Sequence, residues 1–118
     1  MIHYNNNRPF VEGVSLEDIA STQETPFYVY SQSKITNTFK QLKNSLDSEI
    51  FYAVKANSNQ SIIRLMASLG AGADVVSVGE LERAILAGVE PQKIIFEGIG
   101  KTKQDIAFAI EKNIRLIN

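Results

Sequence analysis

Four short apolar runs begin near Ile50, Ala73, Lys93 and Ile114, separated by 23, 20 and 21 residues. Between them lie amphipathic stretches, with Ile62, Ile63, Leu65, Met66 and Leu69 in the first. The second carries Leu81, Ile85 and Leu86, and the third Ile106, Phe108, Ala109 and Ile110. Each stretch ends on a residue that tolerates a left-handed cap, namely Gly70, Gly88 or Asn113. Ser77-Val78-Gly79-Glu80 fits a capping box, and Thr102-Lys103-Gln104-Asp105 an acidic variant of it. Strands alternating with helices imply a parallel sheet. Crossovers this even favour a (β/α) barrel over a doubly wound sheet. A complete barrel takes roughly 250 residues, and this chain has 118. The expected fold class is therefore α/β, the amino-terminal half of a (β/α)8 TIM-type barrel, from a longer protein.

The barrel half is expected over residues 33–118, after a lead-in at 1–32 that contains one strand. In the lead-in, Asn5-Asn6-Asn7-Arg8-Pro9 reads as a polar segment. Ser15 to Ala20 reads as a helical turn with Leu16 and Ile19 facing inward, and Pro26-Phe27-Tyr28-Val29-Tyr30 as a strand. From Ser33, Ile35, Phe39, Leu42 and Leu46 share one helical face, with Ser31 or Ser33 able to cap its start.

Composition narrows the function classes. A net charge of −1 from twelve basic and thirteen acidic residues leaves no basic stripe, so nucleic acid is not an expected partner. The absence of cysteine removes disulfides and thiolate chemistry, and a single histidine, His3, makes a metal site improbable. No apolar run is long enough to cross a bilayer and the first residues do not read as a signal peptide, so a cytoplasmic protein is expected.

Within Ile50-Phe51-Tyr52-Ala53-Val54-Lys55-Ala56-Asn57, one amine interrupts an apolar run. An ammonium taken out of water loses part of its preference for the charged form, and a neutral lysine amine is a nucleophile toward aldehydes. The alternative is a lysine ending a strand with its head in solvent. In a barrel, chemistry gathers at the carboxyl ends of the strands. Lys55 and Glu97 fall there, with Asp74 early in the second run. Asp74 either faces a ligand or satisfies backbone donors. Ser77 and Glu80 are expected to cap a helix, and Glu97-Gly98-Ile99-Gly100 to form a turn with some access to ligand. Gly98-Ile99-Gly100-Lys101-Thr102 imitates a phosphate-cradling loop, but Ile95 stands where that motif needs glycine. Lys101 is expected at the surface.

The string Phe51-Tyr52-Ala53-Val54-Lys55-Ala56-Asn57 resembles the pyridoxal-phosphate (PLP) decarboxylases with an alanine-racemase-like barrel. Flanking segments 25–31, 72–81 with 84–88, and 94–102 resemble, within that group, the bacterial diaminopimelate decarboxylases. The resemblance implies that Lys55 binds pyridoxal 5′-phosphate covalently as a Schiff base. It places Ala53 beside the cofactor and Asp74 near the pyridine ring or against Lys55. It implies an amino-acid substrate, meso-diaminopimelate, decarboxylated to L-lysine and CO2 by a homodimer. The glycine-rich phosphate loop, the ring-stacking histidine and the acid that pairs with the pyridine nitrogen have no counterpart in these 118 residues. The chain alone is therefore expected to be inactive. A PLP-binding module that does not decarboxylate, a related ornithine- or arginine-type decarboxylase, and a nucleotide-binding half-domain built on Gly100-Lys101-Thr102 are the competing expectations.

Overall fold

A computed structural model describes residues 2–118. The chain divides into two units, Met1–Leu42 and Lys43–Asn118. In the first, β1 (Ile2–Asn5), β2 (Arg8–Val11) and β3 (Val14–Ser15) form an antiparallel sheet in the order β1-β2-β3. Both connections are two-residue loops with positive φ at each residue: 48° and 63° at Asn6 and Asn7, 51° and 80° at Glu12 and Gly13. That geometry matches the twist of the paired strands, and Asn and Gly adopt it at least cost. Asn5 to Pro9, read from the sequence only as a polar segment, thus spans the end of β1, the connecting loop and the start of β2. β1 is exposed along its whole length, so no alternation of apolar and polar residues advertises it.

Helix α1 (Leu16–Ala20) is capped by Ser15, whose hydroxyl oxygen accepts from the Asp18 N–H at 3.4 Å. Arg8 ties the sheet to this helix, its Nε 2.6 Å from Glu17 and a terminal nitrogen 2.9 Å from Asp18. Residues 26–30, expected as a strand, form none. Aromatic and β-branched content is only a propensity, and among the described residues these pair with no strand. Helix α2 (Gln32–Ser45) starts at Ser31, whose hydroxyl oxygen accepts the Lys34 N–H at 3.0 Å. The Glu12 carboxylate accepts the Ser33 N–H at 2.8 Å and the hydroxyls of Ser31 and Ser33. Those donors, the Ser31 hydroxyl foremost, hold its pKa below the ordinary glutamate value. Phe39 is the buried residue of α2, and Leu42 and Leu46 stay exposed.

The second unit carries the expected rhythm. β4 (Phe51–Ala53), α3 (Gln60–Ser68), β5 (Gly72–Val75), α4 (Val78–Leu86), β6 (Ile94–Phe96), α5 (Lys103–Glu111) and β7 (Leu116–Ile117) alternate along the chain. The strands form a parallel sheet in the order β4-β5-β6-β7. Gly70, Gly88 and Asn113 follow their helices at φ 92°, 89° and 53°, the left-handed turn that returns the chain to the sheet. At the helix starts, Asn59, Ser77 and Thr102 accept from backbone N–H groups, and Thr102 with Asp105 completes a reciprocal capping box.

Side chains alternate across a strand, so each strand offers one face to the helices. Val54, Ala73, Val75, Ile94 and Phe96 pack there against Ile63, Leu81, Ala84 and Ala109, all buried. Emptying one large site in this layer, as in Leu81→Ala, costs about 2–5 kcal/mol. The opposite face carries Phe51, Ala53, Gly72, Asp74, Ile95 and Leu116, and no helix of this unit covers it.

Candidate active site at the strand tips

The register aligns Ala53 with Asp74, Asp74 with Ile95 and Ile95 with Leu116, one row across the sheet on its helix-free face. Phe51 lies toward the opposite end of β4, and its ring packs on Gly72. A Cβ at Gly72 would stand 2.5 Å from that ring and 2.6 Å from the Lys93 carbonyl oxygen, so only glycine fits. The Arg115 guanidinium lies 5.4 Å from the Phe51 ring centre and 2.6 Å from Glu49. The end of the face away from Lys55 is thereby closed by a ring and an ion pair.

Lys55 stands at the other end. β4 stops at Ala53, and Val54–Ala56 form one turn of 3-10 helix. Val54 is buried on the helix side, whereas Lys55 is exposed. The apolar run around Lys55 therefore reflects its neighbours and not burial of the amine. The turn is held by the Tyr52 hydroxyl, which donates to the Asn57 carbonyl oxygen at 2.9 Å. The Asn57 side-chain oxygen in turn accepts the Asn59 N–H at 3.0 Å, and Asn59 caps α3. Three successive polar contacts thus connect β4, the Lys55 turn and the next helix.

Asp74 lies on β5, half-buried, with Oδ1 removed from solvent and without a hydrogen-bond partner. Burial raises its pKa above the ordinary aspartate value; the Glu97 and Glu80 charges add to this, and Lys55 opposes it. The structure therefore brings Lys55, Asp74 and Glu97 into one electrostatic neighbourhood beside Ala53. The alternative in which Asp74 satisfies backbone donors is not realised at Oδ1. Glu80 is tied to the backbone, accepting the Val76 N–H at 2.9 Å, and Ser77 accepts the Glu80 N–H at 3.2 Å, as capping requires.

The Gly98 loop is a turn, with Gly98 at φ 107°. Lys101 does not hang free in solvent: Nζ donates to the Gly98 and Asn118 carbonyl oxygens and lies 5.3 Å from the Phe96 ring centre. The local sequence holds no sign of the Asn118 contact, because its partner lies 17 residues further along the chain.

These residues suit a PLP cofactor in three respects. An exposed primary amine stands at a strand tip, a methyl side chain beside it leaves room for a planar ring, and a buried carboxyl oxygen lacks a partner. Residues 32–118 match the family of pyridoxal-dependent decarboxylases, in its pyridoxal binding domain. The chain is 42% identical over 118 residues to a diaminopimelate decarboxylase of Aquifex aeolicus, covering 99% of this chain and 28% of the relative. A diaminopimelate decarboxylase of Helicobacter pylori is 47% identical over 105 residues, covering 86% and 26%. Among solved structures, one from Aquifex aeolicus superposes with a TM-score of 0.93 at 42% identity, over 99% of this chain and 30% of that one. Diaminopimelate decarboxylase from Helicobacter pylori complexed with L-lysine superposes at 0.82 and 45% identity, over 86% and 27%. The chain thus spans little more than a quarter of the length of these relatives, and its parallel unit is the opening portion of their barrel. The chain belongs to the pyridoxal-dependent decarboxylase family, through its pyridoxal-binding domain.

Proposed function

We propose that this chain supplies the lysine-bearing part of an enzyme that decarboxylates meso-diaminopimelate to L-lysine and CO2. One observation carries the reading: Lys55 presents a free amine at a strand tip beside Asp74, within the family-matched region. When bound, PLP supplies an aldehyde and an electron-accepting ring that takes up the electron pair released as CO2 departs. The chain's own residues then have distinct tasks. Lys55 Nζ would hold the cofactor covalently and would be placed to move protons at the reacting centre. Ala53 leaves space beside it. Asp74 would lie near the pyridine ring or help hold Lys55. The Tyr52–Asn57 bond holds the turn from which Lys55 projects.

The substrate choice follows the relatives. Identities of 42% and 47% are to diaminopimelate decarboxylases, whereas a lysine decarboxylase from Selenomonas ruminantium superposes at a TM-score of 0.80 with 29% identity. The same backbone therefore accommodates other amino acids, and ornithine, arginine and lysine are the competing substrates to assay. A homodimeric, cytoplasmic enzyme completes the reading. Among the described residues no helix is long and apolar enough to cross a membrane.

The test is reduction of the full-length protein with borohydride after PLP addition, followed by peptide mapping. Label on Lys55, with CO2 release from diaminopimelate, is the expected result. Label on another lysine refutes the site. Label on Lys55 without CO2 release marks a binding module instead.

A further inference from the structure

Arg83 lies on the second turn of α4, the helix that Ser77 caps. Helical side chains lean toward the amino terminus of their helix and lie over the preceding turn. Gly79 stands one turn back on the same face, and a Cβ placed there would meet only the Ser77 hydroxyl, 3.9 Å away. The Arg83 stem therefore has a clear path back toward the strand tips. Its guanidinium ends on the segment that follows Lys55, where a terminal nitrogen donates to the Ser58 carbonyl oxygen at 3.3 Å. That segment answers in kind: the Gln60 side-chain amide donates to the Arg83 carbonyl oxygen at 3.0 Å. Arg83 is thus joined to residues 58–60 through both its side chain and its main chain.

Two consecutive carbonyls after the Lys55 turn are each held by a different element. That of Asn57 accepts from the Tyr52 hydroxyl on β4, and that of Ser58 from Arg83 on α4. The Asn57 side chain is taken by the Asn59 N–H, and the Asn59 side chain by the Ser61 N–H at the start of α3. Helix α4 also packs against the turn itself, and Val54 shares a buried cluster with Leu81 and Ala84. Lys55 is exposed, so packing does not fix where its side chain points. The backbone on either side of it does.

We propose that Arg83 is a positioning residue for Lys55: by holding the Ser58 carbonyl it completes, with Tyr52, a two-sided clamp on the segment after the turn. The clamp fixes the direction from which the amine meets its aldehyde partner, without touching cofactor or substrate. A reacting atom misplaced by on the order of 1 Å loses rate far more than affinity. This rests on the reading of Lys55 given above, and one arm of its test needs neither cofactor nor turnover.

The experiment compares the full-length protein with its Arg83→Met and Arg83→Lys variants. Without PLP, amide hydrogen exchange is followed by mass spectrometry in the peptide covering residues 54–60. Exchange there should quicken about fivefold in R83M, the factor set by one hydrogen bond of ordinary net strength. It should stay unchanged in the peptide of α5, and R83K should restore most of the protection. With PLP, the borohydride-trapped attachment to Lys55 should slow about fivefold or more at saturating PLP in R83M. The PLP concentration giving half the maximal rate should stay the same, a split that general loosening of the fold would not produce. Unchanged exchange in a folded R83M would overturn the proposal, and so would faster exchange with an unchanged saturating rate. Gln60→Leu keeps the stem and removes the donor to Arg83, so it should loosen the same peptide; full protection there would overturn the clamp even if R83M fails to fold. Label on some other lysine would refute the enzyme reading, while the exchange comparison would still decide whether Arg83 holds the segment.

Discussion

The Tyr52 hydroxyl reaches across the turn that carries Lys55 and donates to the Asn57 carbonyl oxygen, 2.9 Å away. A strand residue and a residue beyond the turn are thereby joined around Lys55. Tyr52→Phe removes the donor and leaves the ring, so the loss should be about 1 kcal/mol in a urea titration. Borohydride trapping of PLP on Lys55 should slow in the same variant, since the turn loses its crosslink while the amine remains. Unchanged trapping would mean that the turn is held by its other contacts.

Asp74 predicts a pH dependence of defined sign. Its folded pKa is raised, chiefly by burial and then by Glu97. The native state therefore holds the proton more tightly than the unfolded chain does. The stability Asp74 contributes is fully present below the ordinary carboxylate pKa and is lost as pH rises through its folded value. Asp74→Asn should accordingly be more stable than the natural sequence at neutral pH, and the advantage should vanish on acidification. Denaturation curves at several pH values check this, and an advantage independent of pH would assign the effect to something other than ionisation.

Gly72 predicts a steric effect. Its Cβ position collides with the Phe51 ring and, less forgivingly, with the backbone oxygen of Lys93. Gly72→Ala should cost about 1–3 kcal/mol by overpacking. Gly72→Ala combined with Phe51→Ala should recover only part of that, because the carbonyl clash remains. Full recovery would place the whole strain in the ring.

Thr102 predicts a local effect. Its hydroxyl oxygen accepts the Asp105 N–H at 3.2 Å while the Asp105 carboxylate accepts the Thr102 N–H at 2.8 Å. Thr102→Ala should cost about 1 kcal/mol. Added ATP should leave the melting temperature unchanged, since Lys101 is engaged by two carbonyl oxygens and Thr102 by its helix.

The parallel unit was legible because its signals are local and repeated. Left-handed caps at Gly70, Gly88 and Asn113 close the three helices, and polar caps at Ser77 and Thr102 open the last two. The antiparallel sheet was not, because β1 is exposed and its strongest signal is the backbone conformation of Asn6 and Asn7. The stretch Phe27 to Tyr30 misled, since composition describes a fit to a pleated surface and not the presence of a neighbour to pair with. At the candidate site, the resemblance singled out Lys55, Ala53 and Asp74, and the register sets Ala53 beside Asp74. The nearness of Glu97 to Asp74 depends on the β5–β6 register, which no single segment encodes.

The sheet keeps its hydrocarbon contacts on one side and its polar groups at one edge. Folding stability and reactivity therefore draw on nearly separate sets of residues. Ile99, fully exposed at the tip of the Gly98 turn, can be exchanged without disturbing Leu81 or Phe96. In a scaffold divided in this way, substitutions at the rim can alter what it contacts while the layer beneath keeps its packing.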